Sequence, residues 1–217
     1  MTAPPPAVAE VRARVAAAAT RAGRDPASVV LIGASKTVPA EILAAALDAG
    51  LTDLGENRAQ ELLAKAPVLA GRSAPPAWHF LGRLQRNKVA GLVPWVSWWH
   101  SVDRVVLGEA IARRAPNARI LVEVNLGDEP AKGGCPPAEA PALVDELRRL
   151  PLEVAGLMAV VPRAGDPRPW FAALRDLAGT LELRELSMGM SDDFEAAIAE
   201  GATMVRVGRA IFGDRRA

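Results

Sequence analysis

The stretch VVLIGASKTVP at residues 29–39 predicts a buried β-strand that ends at Lys36. The chain has four lysines against twenty-two arginines, and Lys36 follows an apolar, β-branched run instead of lying on a charged helix face. Desolvation at the end of a buried strand lowers the pKa of an amine, and only the free amine attacks a carbonyl to give a Schiff base. The alternative is a lysine whose ammonium group simply extends past the strand end into water.

The turn after this strand separates two kinds of α/β fold. Residues 35–39 read SKTVP, which is not the G-x-G-x-x-G turn that opens a doubly wound dinucleotide-binding sheet. Outward from this turn, apolar runs alternate with helical patterns. We predict strands at residues 29–35, 52–54, 78–81, 95–102, 119–126, 153–160, 185–188 and 204–207. We predict helices from Val8 over about four turns, and at residues 40–49, 59–65, 85–92, 104–114, 138–150, 169–181 and 192–200, with a short last one at 210–216.

Strict alternation of strand and helix requires a parallel sheet covered by helices. Eight such units in 217 residues fit a closed (β/α)8 TIM barrel near its minimum size. The sequence therefore predicts an α/β protein with one barrel domain at residues 8–217, preceded by a flexible Pro-rich tail at residues 1–7.

The composition excludes several functions. A net charge of +1 gives no basic excess for binding nucleic acid, and no apolar segment is long enough to cross a membrane. The single cysteine, Cys135, excludes an intrachain disulfide and suits a reducing compartment, so we expect a cytoplasmic protein. Two histidines and one cysteine make no metal-ligand set, and the chain has no tyrosine to serve as an acid or base.

In barrels of this type, chemistry occurs at the carboxyl ends of the strands, and the loops after strands seven and eight usually bind phosphate. Here these loops carry small residues, and we expect the phosphate near Gly208, with Ser187 reaching across. Ser191 precedes two aspartates at the predicted start of a helix, so we assign it as an N-cap residue in preference to a phosphate ligand.

Three further strand ends carry polar residues with more than one interpretation. Arg206 lies in an apolar strand, where its charge either faces a ligand or forms an inward salt bridge with Glu56 or Glu123. Asn57 either donates to a ligand oxygen or caps the next helix. His79 is more typical of a packed barrel residue than of a catalytic acid.

The chain resembles the YggS/PROSC family of pyridoxal 5′-phosphate (PLP) homeostasis proteins from about residue 8 onward. The matching segments, in order, are SKT at 35–37, GEN at 55–57, WHFLG at 78–82, GLMA at 156–159, LSMGMSDD at 186–193 and VRVG at 205–208. The SMGMSDD segment together with SKT is highly specific. The resemblance implies a single barrel similar to the N-terminal barrel of alanine racemase and to the fold type III decarboxylases.

The resemblance also implies roles for individual residues. It implies that Lys36 forms the Schiff base with PLP and that Arg206 lies beside the pyridine ring. It also implies that Ser187 and Gly208 contact the phosphate, and that Asn57 and Met188 line the pocket. The resemblance also implies a part in cofactor handling for Lys132, at a position where the family often carries a lysine. This chain departs from the family pattern at Arg58, at Arg83 and in the segment Ala131-Lys132-Gly133-Gly134.

Two functional hypotheses follow from the resemblance. Racemases of this fold need a tyrosine from a second domain as their second base, and this chain has neither. An arginine at the ring nitrogen also weakens the electron sink. We therefore favour a monomeric, non-catalytic protein that buffers PLP or delivers it to PLP-dependent apo-enzymes, over a fold type III enzyme such as an amino-acid racemase. A Schiff-base aldolase without cofactor would explain Lys36 but not Ser187, Gly208 and Arg206.

Overall fold

Eight parallel strands close into a barrel in chain order, and β8 returns to pair with β1. The structure is a computed structural model that describes residues 7–129, 132–162 and 164–213. The strands are β1 (Val30–Ala34), β2 (Asp53–Glu56), β3 (Ala77–Phe80), β4 (Val96–Val102), β5 (Ala118–Glu123), β6 (Leu152–Met158), β7 (Glu185–Ser187) and β8 (Met204–Val207). The predicted (β/α)8 barrel is confirmed.

Helices follow the strands in the predicted order. They are α1 (Val8–Arg21), α2 (Ala40–Asp48), α3 (Ala59–Ala70), α4 (Val89–Leu92), α5 (Val105–Ala112), α6 (Ala140–Arg148), α7 (Arg168–Thr180), α8 (Phe194–Ala199) and α9 (Arg209–Phe212). The predicted tail, apart from Ala7, and residues 214–216 of the last predicted helix lie outside the described residues, as does residue 217.

Two boundaries differ from the predictions in ways that matter for the site. Helix α3 continues beyond residue 65 to Ala70, because Leu62, Ala66 and Leu69 keep a buried face at helical spacing. Strand β2 begins one residue later than predicted and runs on to Glu56, so a carboxylate lies inside the sheet. That charge requires a partner on the helix side.

The side chains of each strand alternate between the inside of the barrel, the lumen, and the surrounding helices. Ile32, Leu121, Met158 and Met204 form a small apolar cluster that is separate from the large core shared with the helices. In β8, Met204 joins this inner cluster and Val205 joins the outer core. The alternation therefore directs Arg206 into the lumen.

Candidate functional site

Lys36 directly follows β1, at the carboxyl end of the barrel, and is half-buried. The next residue, Thr37, has φ of 64°, a left-handed conformation that is unusual for a β-branched residue. The backbone N–H of Thr37 donates to Glu61 Oε2 at 2.7 Å. The Glu61 carboxylate, on helix α3, thus fixes the turn that carries Lys36.

A group of polar and charged side chains, which we call the lysine clamp, holds the other side of this turn. It consists of Ser35, Glu56, Glu61 and Lys65. Lys65 Nζ donates to the backbone oxygen of Ser35 at 2.8 Å, to Glu56 Oε1 at 2.5 Å and to Glu61 Oε2 at 3.0 Å. Ser35 Oγ donates to Glu56 Oε1 at 2.7 Å. The clamp therefore bonds the residues on both sides of Lys36 from helix α3.

The two carboxylates of the clamp have opposite pKa shifts. Burial raises the pKa of the Glu56 carboxyl, and the hydrogen bonds from Lys65 and Ser35 offset only part of that effect. Burial also raises the pKa of Glu61, but the hydrogen bonds from Thr37 and Lys65 outweigh it and lower the pKa overall. Glu61 therefore carries the more stable negative charge beside the Lys36 turn.

In the lumen, Arg206 is buried and hydrogen-bonded to the end of β7 and to the residue that follows β6. Its Nη1 donates to the backbone oxygen and to Oγ of Ser187, both at 2.6 Å, and its Nη2 donates to the backbone oxygen of Ala159 at 2.8 Å. Burial lowers the pKa of Arg206 to about 10, so the group remains charged at neutral pH. The alternative salt bridge to Glu56 is wrong, because Glu56 bonds Lys65 on the outer face of the sheet.

Ser187 connects Arg206 to a line of polar side chains, which we call the histidine relay. Ser187 Oγ lies 2.9 Å from His100 Nδ1, His100 Nε2 lies 2.9 Å from His79 Nδ1, and His79 Nε2 lies 2.9 Å from Asp53 Oδ1. Ser187, His79 and His100 are fully buried. The interpretation of His79 as a packed residue is thus incomplete, since both of its ring nitrogens are engaged.

Glu123 adds a second buried acid to the lumen. It is 8% exposed, and its Oε2 has no hydrogen-bond partner within the described residues. Burial, together with Asp103, raises the pKa of Glu123 from 4.5 to about 7, although Arg206 and Arg83 oppose the shift. A buried carboxyl oxygen without a partner is a group that a ligand can satisfy.

The loops after β7 and β8 meet at Ser191, not at Ser187. Ser191 Oγ accepts a hydrogen bond from the backbone N–H of Ala210 at 3.3 Å, at the start of α9. The predicted N-cap role of Ser191 is wrong, because α8 begins at Phe194 and Asp193 occupies its N-cap position. The adjacent Asp192 forms an ion pair with Arg209.

Two glycines shape these loops. Gly189 has φ of 90°, and a Cβ there would lie 2.6 Å from Ala197 Cβ. A Cβ on Gly208 would lie 3.1 Å from the backbone oxygen of Ala34, which is closer than most real contacts of this kind. The end of β8 therefore approaches the end of β1, two residues before Lys36.

The remaining predicted residues are in three different settings. Asn57 is exposed at the end of β2 and does not cap α3, whose N-cap position is Arg58. Met188 is fully buried in the large core shared with the helices. Lys132 Nζ pairs with Glu129 and also donates to the backbone oxygens of residues 160 and 161 at the end of the β6 region. Ala131, next to Lys132, lies outside the described residues.

A cavity of about 550 Å³ opens beside Asn57, between the loops that follow β2, β3 and β4. Its lining includes four cationic side chains, Arg58, Arg83, Lys88 and Arg104. Arg104 is paired with Asp103, and Arg58 lies 3.8 Å from Glu61. The lining of this cavity is therefore basic.

The sequence contained weak signals for the residues that the predictions left out. Glu61 and Lys65 are four residues apart on a helix, the spacing of an ion pair. Glu123 interrupts an apolar strand and was predicted only as a possible salt-bridge partner of Arg206. His100 lies two residues before the end of β4, toward the carboxyl end of the barrel. Which strands face one another across the lumen was not visible in the sequence.

The described part of the chain offers neither a cluster suited to a metal ion nor a helix suited to a membrane. Within it, no group of three or more His, Cys, Asp or Glu side chains has an arrangement suited to a metal ion. Likewise, none of the helices described is both long and apolar enough to cross a membrane.

Comparison with known proteins places this architecture in a class. The family model for the alanine racemase N-terminal domain matches residues 8–216. A lysine decarboxylase from Selenomonas ruminantium has a similar fold, with a TM-score of 0.69 at 17% identity over 94% of this chain and 60% of that chain. The barrel is thus of the alanine racemase N-terminal class.

Closer relatives define the family within this class. The pyridoxal phosphate homeostasis protein of Pseudomonas aeruginosa is 44% identical, covering 96% of this chain and 94% of that protein. The Aquifex aeolicus protein of the same name is 43% identical, covering 96% and 97%. PipY of Synechococcus elongatus, solved with PLP bound, has a TM-score of 0.82 at 36% identity over 94% of this chain and 100% of that one. The chain belongs to the family of pyridoxal phosphate homeostasis proteins.

Proposed function

We propose that this protein binds PLP at the carboxyl end of the barrel, with Lys36 forming a Schiff base with the aldehyde, and that it buffers or delivers the cofactor. The observation that carries the proposal is the clamp, which fixes the backbone on both sides of Lys36. A rigid turn fixes the backbone from which the Lys36 side chain extends, which lowers the entropic cost of ordering the amine for reaction with a carbonyl. When bound, PLP supplies an aldehyde that combines reversibly with amines.

The lumen fits the other end of such a ligand. Arginine has five N–H donors, and three bonds from Arg206 are accounted for among the described residues. The remaining donors and the unpartnered Oε2 of Glu123 provide polar groups for a ligand ring. Asn57 lies at the cavity edge, and Met188 can take part only through its backbone, because its side chain is buried in the outer core.

For the phosphate we propose Gly208 together with Ser191, at the junction of the two loops. Both residues are half-buried, and the Gly208 backbone is approached closely from β1. Ser187 was the serine predicted for this role, and in the structure its hydroxyl is engaged by Arg206 and His100. Its contact with phosphate stays a prediction, which the variants below test.

A non-catalytic role follows from what this chain brings to the ring. Arg206 remains protonated near neutral pH and can only donate, so a ring nitrogen that faces it would stay unprotonated. An unprotonated ring would be a weak electron sink. The chain contains no tyrosine that could act as a second base. We propose that these features favour storage and transfer over turnover.

The test is direct. Purified protein loaded with PLP is expected to absorb in the visible range, and borohydride reduction should fix the cofactor on Lys36. Lys36→Ala should lose both properties, whereas the matched control Lys88→Ala should keep them. A colourless protein that PLP cannot reconstitute would overturn the proposal. Useful turnover of any L- or D-amino acid by the loaded protein would replace the carrier with an enzyme.

The basic cavity suggests how a phosphorylated ligand approaches. Cationic side chains around a cleft raise the association rate of an anion, and salt screens the effect. We expect Arg83→Ala combined with Lys88→Ala to slow PLP association several-fold at low salt, on the order seen for steered ligands, and the difference to vanish at high salt. The control is Arg21→Ala with Arg149→Ala, which removes the same charge at the opposite end of the barrel. Equal rates in both double variants would exclude steering by the cavity.

A further inference from the structure

The histidine relay crosses the whole lumen from one end of the barrel to the other. Asp53 is the first residue of β2, at the amino end of the barrel, and its side chain is 19% exposed. Ser187 is the last residue of β7, at the carboxyl end, where it accepts from Arg206. Between them, His79 and His100 have no contact with solvent. Four hydrogen bonds thus connect Arg206 with a carboxylate near the opposite opening.

The two ends of this line fix where its protons lie. Arginine can only donate, and Asp53 accepts, since its hydrogen bonds from His79 and Thr52 hold the pKa of its carboxyl below the usual value despite burial. With neutral imidazoles, one arrangement satisfies every atom. Ser187 donates to His100 Nδ1, His100 Nε2 donates to His79 Nδ1, and His79 Nε2 donates to Asp53.

The competing arrangement has a charged His79 and reverses the middle of the relay. His79 Nδ1 would donate to His100 Nε2, and His100 Nδ1 would donate to Ser187 Oγ. The Ser187 oxygen would then accept from both His100 and Arg206. The Ser187 hydroxyl proton would then have no acceptor among the described side chains, at a fully buried position. An unsatisfied buried donor is costly. The neutral arrangement is therefore favoured.

We propose that Asp53, His79 and His100 are positioning residues that hold Arg206, through Ser187, in the orientation in which its guanidinium meets the cofactor ring. The inference rests on the proposed function. His100 acts through Ser187, and His79 and Asp53 act by fixing the tautomer of His100. Trp98 supports the relay from the side. Its ring is stacked on that of His79, with the two ring centroids 6.2 Å apart and an interplanar angle of 5°.

This assignment also separates the two serines of the β7 loop. The only hydroxyl proton of Ser187 is donated to His100, and its oxygen receives Arg206. Ser187 then has no proton for a phosphate oxygen. Ser191, outside the relay, keeps its own hydroxyl proton available.

The first test uses the protein without PLP. Because the chain has only two histidines, a long-range ¹H–¹⁵N spectrum contains only two imidazole rings, and His79→Gln assigns them. At pH 7 we expect both rings to be neutral, with the proton on Nε2. A charged ring, or a proton on Nδ1 of either histidine, would overturn the proposed direction of the relay. This result does not depend on whether PLP binds.

The second test measures PLP affinity in variants that remain folded. His100→Leu removes both hydrogen bonds of the ring, and we expect PLP to bind about tenfold more weakly, as for a lost buried partner. His100→Gln retains one donor and one acceptor, and should bind within about threefold of the parent protein. The matched control is Ser101→Ala, the next buried polar residue on the same strand. Unchanged affinity in a folded His100→Leu protein would overturn the positioning role and leave the proposed function intact.

The third test distinguishes the relay from a phosphate contact. Ser187→Ala is expected to weaken PLP and pyridoxal, which lacks the phosphate, by the same factor. Ser191→Ala should weaken PLP and leave pyridoxal unchanged. Loss of PLP binding alone in Ser187→Ala would return this serine to the phosphate and overturn its place in the relay. If the parent protein binds neither ligand, the proposed function fails, while the ¹⁵N spectrum still reports on the relay.

Discussion

The lysine clamp and the histidine relay lie on opposite faces of the same sheet and manage charge differently. The clamp, between the sheet and α3, brings one ammonium between two carboxylates, with Lys65 only 11% exposed. The relay, in the lumen, keeps its charges at the two ends and places neutral rings between them. Burial, together with the charge of Arg206, lowers the pKa of His100 well below its ordinary value.

This difference reflects how far each network reaches along the chain. The clamp joins residues between 35 and 65, so one β-α-β-α unit contains all of it. The relay joins β2, β3, β4, β7 and β8, so it exists only when the barrel is closed. Charges paired locally position the amine, whereas a line of neutral hydrogen bonds can cross the lumen without burying a charge in the middle.

The largest expected effect comes from removing the cation of the clamp. Lys65→Met leaves two carboxylates without their shared partner, one of them fully buried, and we expect the free energy of unfolding to fall by about 3–5 kcal/mol. Denaturant unfolding measures the change. Arg14→Met, which breaks the exposed ion pair with Glu195, should cost about 1 kcal/mol or less. Similar losses in both variants would remove the distinction between the clamp and an ordinary surface pair.

The next effect concerns Glu123, a lumen charge that belongs to neither network. Its pKa is raised from 4.5 to about 7, so the folded protein holds a proton between these values that the unfolded chain releases. The wild-type protein therefore loses stability as the pH rises from about 4.5 to about 7. Glu123→Gln should escape this loss and exceed the wild type at pH 8 by on the order of 3 kcal/mol, while matching it at pH 4.

Thermal unfolding across this pH range tests the Glu123 prediction. Asp103 and the cations Arg83 and Arg206 are the charged groups that act on this carboxyl, and none of them changes in the variant. Glu153→Gln, at an exposed position on the neighbouring strand, is the control and should follow the wild type. A Glu123→Gln protein with an unaltered pH profile would show that this carboxyl is ionised in the fold.

The smallest effect tests whether the two networks are independent. Glu61→Gln weakens the clamp and Ser187→Ala weakens the relay, and the two residues share no hydrogen-bond partner. We expect their effects on the free energy of unfolding to add within about 0.5 kcal/mol. Denaturant unfolding of both single variants and the double variant completes the cycle. A coupling well above this value would mean that the sheet transmits strain between its faces.

Most of the fold was predictable because apolar residues recur at different spacings in strands and in helices. The position of Lys36 followed from the same alternation. Strand β2 was the exception that mattered, since Glu56 looked like a loop residue until α3 supplied Lys65 as its partner. The relay could not be predicted, because the contact between His100 and Ser187 depends on strands 87 residues apart in the chain.

The error at Ser191 has a related cause. A serine before two aspartates satisfies the local rule for an N-cap, and the sequence shows no reason for the helix to begin later. In the structure Asp193 Oδ1 accepts from the backbone N–H of Met190 at 2.6 Å, which closes the turn before α8. Ser191 is thereby left to contact the loop after β8, a contact between distant segments.

The scarcity of lysine limits the places at which an aldehyde can react with this protein. A guanidinium group stays protonated and is a poor nucleophile, so the twenty-two arginines provide positive charge without forming carbonyl adducts. Of the four lysine amines, Lys65 is held between two carboxylates and Lys132 is paired with Glu129. A surface built in this way can attract a reactive, phosphorylated aldehyde and still direct its covalent chemistry to very few sites.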